Sequence, residues 1–599
     1  MFDQFKIVID PVAHSVAISA IFAALPLLAL FLLLGVLRMK AWLAGVISLA
    51  VALVVAVFVY SMPVGQSLLS ATEGAAYGFF PILWIVLNAI WVYNLTVVSG
   101  HFDVLRRSFE GVSADRRIQA IIIAFCFGAL LEALAGFGTP VAITVVMLMA
   151  LGFRPLKAAA VSLIANTAPV AFGALATPIV ALQTAAHGAN PDPRLTVDTL
   201  GAMVGRQTPI LSLVVPLVLV VVVDGRRGFR QTWPAAVVAG VSFGIAQFVA
   251  ANYISVPLTD IVASLVSAAA VVGLLRVWRP AEAPEIVEEA AEATVVGTDT
   301  GGVPAPRRPV PETAAAAVST GLPTATGSAG GGGSDTPPGS GAGSGSGPVP
   351  DSRADVMRAY APYAVIIVLF SIANINAVKN ALAKSPWTVK FQWPGLDVLG
   401  TNGKPLSSIT YTFNWLPAAG TLMVIAGIIT ALILRIDARR AVKAYGDTYV
   451  NLRYAIVTVM AVLSLAYVLN QSGQTNTLGA ALAAAGGFFV ILSPILGWIG
   501  VAVTGSDTSS NALFGALQVQ TAARTGLDPL LFAAANSSGG VLGKMISPQN
   551  LAIAASAVGM AGKEGDIFRK VIGWSLALLA FMCLIVALQH TPVLSWMVP

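Results

Sequence analysis

Apolar runs of about 17 to 25 residues recur along this chain from Ala17 to Gln589, and a run of that length crosses a hydrocarbon core of about 30 Å as one helix. No other feature narrows the fold as far. In lipid every backbone N–H and C=O must be satisfied within the protein, so runs of this length imply a bundle of membrane helices; about twelve crossings fit. Composition agrees, with 57% of the 599 residues hydrophobic and 10% charged, where soluble domains carry roughly 25% charge. The opening Met1-Phe2-Asp3-Gln4-Phe5-Lys6 lacks a basic segment leading to a small-residue cleavage site, so the first run is expected to stay as a helix. A net charge of +6 is modest, and its basic residues stand in clusters between apolar runs, as topology signals do. Nucleic-acid binding has little support. Cys126 and Cys583 fall inside apolar runs, without metal or disulfide spacing, and read as buried small hydrophobes.

One stretch breaks the pattern. Residues 281–352 open on Glu282, Glu285, Glu288, Glu289 and Glu292 and pass into Pro, Ala, Gly and Ser; such a segment buries too little apolar area to offset its ordering entropy and is expected to be a disordered linker. It separates a first membrane half, 1–280, from a second, 353–599. Placing Arg38, Lys40, Arg106, Arg107, Arg116, Arg117, Arg226, Arg227, Arg230, Arg276 and Arg279 in the cytoplasm puts the N-terminus outside. The linker, with Arg307, Arg308, Arg353 and Arg358, is then cytoplasmic, as are Arg435, Arg439, Arg440, Lys443, Arg453, Lys563, Arg569 and Lys570, and the C-terminus is outside.

Between Ile118 and Ala185 there is too much apolar sequence for one helix and the wrong parity for two. A re-entrant hairpin from Ile118 to Leu151 solves the count, with its tip at Gly136-Phe137-Gly138-Thr139-Pro140, where glycine and proline interrupt helix. The next crossing, Leu156 to Leu182, is itself broken at Asn166-Thr167-Ala168-Pro169. The second half repeats this grammar. Ala165-Asn166-Thr167, Gly173 and Thr177-Pro178 match Ala535-Asn536-Ser537, Gly543 and Ser547-Pro548 at one constant offset, and a second breaker, Gly505-Ser506-Asp507-Thr508-Ser509-Ser510-Asn511, precedes them. Charge places the second hairpin, about residues 478 to 524, as entering from outside, so the copies are inverted. Repeat 1 covers about 17–224, with extra helices at about 233–276. The fold class is therefore an all-α integral membrane protein, an inverted-repeat transporter with broken helices and two re-entrant hairpins.

Half-helices that begin at a break aim unpaired N–H groups and a positive dipole end at whatever sits there, which suits a carboxylate. Gly136, Phe137, Gly138, Thr139, Asn166, Thr167, Ser506, Thr508, Ser509, Asn536, Ser537 and Ser538 are the candidate substrate-binding residues; the plainer alternative for any one of them is helix capping or helix–helix glue. Three ionisable residues fall deep in these elements. A charge at mid-membrane costs roughly 2.5 to 3.5 kcal/mol and so marks a pathway or a pair. Lys544 is the candidate counter-charge for a substrate carboxylate, and Glu132 and Asp507 are candidate proton carriers, since a carboxyl withdrawn from water exchanges protons in the working range; a structural pair, for example Lys544 with Asp507, is the alternative. The Asn-Thr and Asn-Ser-Ser breaks also offer oxygen ligands to sodium. His14, His101, His187 and His590 lie near run ends and read as interfacial, and Glu73 and Asp260 are placed near membrane surfaces. No nucleophile with a base, and no metal-ligand cluster, stands at usable spacing, so no catalytic residue, metal or cofactor is expected.

Phe125-Cys126-Phe127-Gly128-Ala129-Leu130-Leu131-Glu132, Gly136-Phe137-Gly138-Thr139-Pro140-Val141-Ala142-Ile143, Asn166 to Ala174, Gly505 to Phe514 and Gly543-Lys544-Met545-Ile546-Ser547-Pro548-Gln549 together resemble the motifs of the lactate permease family, over nearly the whole chain outside the linker. The resemblance implies a proton symporter of a prokaryotic cytoplasmic membrane that takes up small 2-hydroxy monocarboxylates, L-lactate with D-lactate or glycolate, by alternating access. Ala133-Leu134 and Thr139 stand where that family has Gly-Ala and Ala, which implies a reshaped pocket. A sodium-coupled di- or tricarboxylate carrier is the competing expectation, a channel a further one.

Overall fold

The computed structural model describes residues 4–113, 115–136, 138–187, 189–190, 192–280 and 351–599. The linker reading at 281–352 and the tip residue Phe137 thus lie, apart from Asp351 and Ser352, outside the described residues. Among those described, eleven helices are long and apolar enough to cross a membrane. Several are much longer than one crossing, and the breaks in two of them shape the fold. Val197–Val249, 53 residues, would run about 80 Å if straight and instead breaks at Asp224 and Gly225, the glycine at φ 59°. Val64–Val98 breaks at Phe80, which takes extended backbone.

Each hairpin is closed by residues suited to a tip. In the first, Arg116–Ala135 starts on an Asp115 cap that accepts from Arg117 N at 2.8 Å and ends at Gly136. Gly138, at φ 86°, then launches Thr139–Ala150 with Pro140 in the first turn, where a missing N–H costs nothing. In the second, Gly505 at φ 76° ends Phe489–Thr504, and Ser506 caps Asp507–Arg524 by accepting from Ser509 N at 3.3 Å. The expected second hairpin, from about 478, is shorter: Gln474–Leu482 is a separate helix, and a turn at Gly486, φ 54°, divides it from the hairpin arm.

The broken crossings follow. Pro155–Ala165 stops at Asn166, Pro169 prevents its continuation, and Val170–Phe172 makes one 3₁₀ turn. The interruption reaches further than Asn166–Pro169. Ala174, Leu175 and Ala176 all adopt left-handed backbone, at φ 43°, 56° and 60°, before the helix resumes and ends at His187. In the second half Pro529–Gly543 starts on an Asp528 cap, passes through a 3₁₀ turn at Lys544–Ile546, and restarts at Ser547 as Pro548–Ala557.

Contacts between loops sort the molecule into two ends. At one, strand Phe5–Lys6 pairs with Val398–Leu399, Ser407 donates to the carbonyl of His187, Lys379 pairs with Asp198, and Arg194 bridges Asp192 and Asp528. At the other, Arg107 holds Asp351 at 2.7 Å, Lys157 donates to the carbonyl of Val223, and Arg117 sits between Asp115 and Asp224. Helix Arg353–Ala373 runs from the second end to the first, so the N-terminal strand and the 351–353 segment lie at opposite ends.

Candidate functional site

The two hairpin tips and the two breaks meet in the interior, and their polar groups are wired half by half. Glu132 lies on the last turn before the first tip, where Asn166 Nδ2 donates to its Oε2 at 2.9 Å. Asp507 is the first residue after the second tip, in the helical turn where backbone N–H groups favour a carboxylate. Ser537 Oγ donates to Asp507 Oδ2 at 2.6 Å and Asn511 Nδ2 at 3.2 Å. Asn536 donates to Asn511 Oδ1 at 2.8 Å and accepts from Gln518 at 3.0 Å. Asn166-Thr167 and Asn536-Ser537 are repeat counterparts, so the broken helix of each half holds the acid of its own hairpin directly, through Asn166 in the first half and Ser537 in the second, with Asn536 adding a contact by way of Asn511.

Lys544 crosses between the halves. Its Nζ donates to Glu132 Oε1 at 2.6 Å, from 412 residues away. Lys544 is 6% exposed and Glu132 and Asp507 3% each. The counter-ion of Lys544 is therefore Glu132 and not Asp507. Removing one partner of such a buried pair strands the other charge, at about 3–5 kcal/mol. Lys544 occupies the repeat position of Ala174, and Gly173 beside Ala174 leaves the space Glu132 fills: a Cβ there would lie 2.7 Å from Glu132 Oε1.

These groups line a cavity of about 40 Å³ formed by Glu132, Gly136, Val170, Gly173, Ala174, Pro178, Gly505, Ser506, Asp507, Thr508, Lys544 and Gln549, room for a few waters. Of the residues expected from sequence, Glu132, Gly136, Ser506, Asp507, Thr508 and Lys544 are thus brought together. Asn166 and Ser537 stand one hydrogen bond behind, and Asn536 two. Four others do not line it. The Thr167 hydroxyl donates to Ile164 O at 2.7 Å, the backbone N–H of Ser509 donates to the Ser506 cap, Ser538 donates to Gln207 at 2.7 Å, and Thr139 is the half-buried first residue of its helix. Gly138 packs against Asn550 and Ile553. Gln549 and Asn511 belong to the site and were not singled out. Asn511 lies one helical turn after Asp507, a spacing that brings side chains together, and Gln549 directly follows the Ser547-Pro548 break.

Glu73 and Asp260, expected near run ends, are enclosed by protein. Both are 0% exposed; Gln471 donates to Glu73 at 2.7 Å and Gln247 to Asp260 at 3.0 Å. Each is held by a glutamine on a neighbouring helix. Cys126 and Cys583 are buried and unpaired. His101 is the first residue of its helix, and His187 and His590 the last of theirs. A second cavity of about 560 Å³ opens at the strand end, lined among others by Tyr77, Gln183, His187, Lys390, Tyr467 and Ser255.

Comparison with known proteins gives this site a context. The chain is 39% identical to the L-lactate permease of Bacillus subtilis over 98% of its own length and 99% of that protein's. It is 39% identical to the glycolate permease GlcA of Escherichia coli over 96% of each, and 37% to the L-lactate permease of Escherichia coli over 98% of each. A solved structure, the YdaH transporter of Alcanivorax borkumensis, overlaps 87% of each chain at 13% identity with a TM-score of 0.43, a likeness that carries no weight for the site. The family model described as L-lactate permease matches residues 19–325 and 339–593. With its long apolar helices the chain is a multi-pass membrane protein, and it belongs to the L-lactate permease family.

Proposed function

We propose that this chain is a secondary transporter that takes up lactate or glycolate together with a proton, by alternating access around the cavity between the two hairpin tips. The relatives' names supply the substrate class. The observation that carries the coupling is the Glu132–Lys544 pair, a buried ion pair joining the two halves inside that cavity. A proton taken by Glu132 frees the Lys544 ammonium, which then holds the substrate carboxylate, while Ser506, Thr508 and Gln549 offer neutral hydrogen bonds to the 2-hydroxyl. When the substrate leaves, Lys544 returns to Glu132 and the proton is released. Proton and anion are thus bound together, because a lone buried charge is expensive. Asp507, whose Oδ1 is buried without a partner, is the second acid of the site. No cofactor beyond the proton is required. The strand end, with the N- and C-termini, faces outward and the linker faces the cytoplasm, following the basic clusters; the hairpins enter without crossing, the Thr139–Ala150 arm being only about 18 Å long.

The test is uptake of labelled L-lactate into proteoliposomes of the purified protein under an imposed pH gradient, acid outside. Accumulation above equilibrium, indifferent to replacement of sodium by choline and competed by glycolate but not succinate, supports the reading. A requirement for sodium would transfer the chain to the cation-coupled alternative, and equilibration without accumulation would make it a channel.

A further inference from the structure

The helices outside the two repeats bring one acid into the interior. Asp260 lies in the first turn of Thr259–Val277 and is fully buried. Its Oδ1 accepts from Gln247 Nε2 at 3.0 Å, and its Oδ2 is buried with no hydrogen-bond partner. The same Gln247 amide reaches the carbonyl of Ala168, in the first break, at 3.4 Å. Ala168 is two residues beyond Asn166, which donates to Glu132. On the other side, Ser255, Val256 and Pro257, just ahead of this helix, line the cavity of about 560 Å³ at the strand end. Asp260 thus lies three residues beyond this cavity's lining and one glutamine away from the break that carries Asn166.

A carboxylate in a first helical turn often only complements the helix dipole. Here the hydrogen bond it accepts comes from the Gln247 side chain, not from its own helix. The bent helix Val197–Val249 offers it only neutral groups, Gln247 with Thr208 and Ser212 behind it, and the break a carbonyl. An uncompensated buried acid in a membrane span marks a pathway more often than a scaffold.

We propose that Asp260 is a second proton-binding site, which loads from the strand-end cavity and passes its proton to Glu132. The proposal rests on the reading of Glu132 as the proton carrier. In the transfer the O–H bond on Asp260 breaks and an O–H bond on Glu132 forms; Glu132 loses its charge and releases Lys544, and Asp260, left as a carboxylate, takes a new proton from water in the cavity. Asp260 is a positioning and relay group and touches no substrate.

The test compares net lactate uptake driven by a pH gradient with lactate–lactate exchange at equal pH, which needs no net proton release, in proteoliposomes of wild type, Asp260→Asn, Asp260→Glu and Glu132→Gln. Asp260→Asn is expected to lose net uptake roughly tenfold or more while keeping exchange near wild type, and Asp260→Glu to recover net uptake. Normal gradient-driven uptake by Asp260→Asn would overturn the relay, as would equal loss of both activities with no recovery by the glutamate, which is the mark of a structural role. Proton-driven accumulation by Glu132→Gln would instead sink the reading on which the relay rests, so the two failures are told apart.

Discussion

At the scale of the residue, the site depends on what Lys544 does when it is not bound to Glu132. A buried ion pair is weak as a source of stability, because desolvation offsets most of its attraction, but losing one member leaves an uncompensated charge. The single substitution Lys544→Met is therefore expected to lower thermal stability, on the order of 3–5 kcal/mol, and to abolish uptake. Glu132→Gln with Lys544→Met leaves no stranded charge. The double variant should regain most of the melting temperature in detergent and none of the lactate transport. Recovery of transport along with stability would show that the pair serves the fold alone. None of this pairing is legible locally, since Glu132 and Lys544 are 412 residues apart and only the meeting of a hairpin with the other half's break brings them together. Their presence at the breaks was legible, because an ionisable residue inside an apolar run stands out. The burial of Glu73 and Asp260 was not: hydropathy locates the ends of a run, and enclosure there depends on the neighbours that pack against it.

At the scale of the element, the breaks follow from local chemistry and the close packing does not. Gly136, Gly138, Gly505 and Pro548 punctuate helices wherever they fall, so both tips and both interruptions could be read from composition. Ala174–Leu175–Ala176 could not, because nothing in alanine or leucine favours left-handed backbone; each such residue is strained by roughly 1–2 kcal/mol, held here by the packing around Glu132. The second hairpin is fixed by another device. The arm Phe489–Thr504 meets Pro529–Gly543 backbone to backbone: a Cβ on Gly539 would run into the Pro494 carbonyl, and one on Gly543 into that of Trp498. Two glycines four apart on one face let membrane helices approach this closely. Gly539→Ala is expected to push the helices apart at a cost of about 1–3 kcal/mol. The shift would also carry Ser537 away from Asp507, so unfolding temperature and lactate uptake should fall together. An unchanged melting temperature would mean that the two backbones are not in contact at Gly539.

At the scale of the whole molecule, the halves are cross-connected in the middle and braced apart from it. The second hairpin donates from Asn511 to Pro178 O in the first broken helix at 3.0 Å, the first tip packs its Gly138 against Asn550 and Ile553 of the second, and Lys544 reaches Glu132. Away from this core, Val64–Val98 and Ala438–Ser472 lie together through Asn94–Thr448 at 2.9 Å, Glu73–Gln471 at 2.7 Å and the Trp91 donation to Ala441 O. A bracing pair beside a core in which each hairpin contacts the other half's break divides naturally into a part that stays and a part that moves, since packed interfaces switch between discrete arrangements more readily than they deform. Ser506, in the second tip, should then see water from one membrane face at a time. In a chain carrying Cys126→Ala, Cys583→Ala and Ser506→Cys, a membrane-impermeant thiol reagent is expected to label the tip faster from the face to which the empty site opens and more slowly from the other. Saturating lactate should slow that labelling, because substrate and reagent compete for one small cavity. Equal labelling from both faces, with no effect of lactate, describes an open pore through which the two halves never exchange access, and in such a protein the Glu132–Lys544 pair would have nothing to couple.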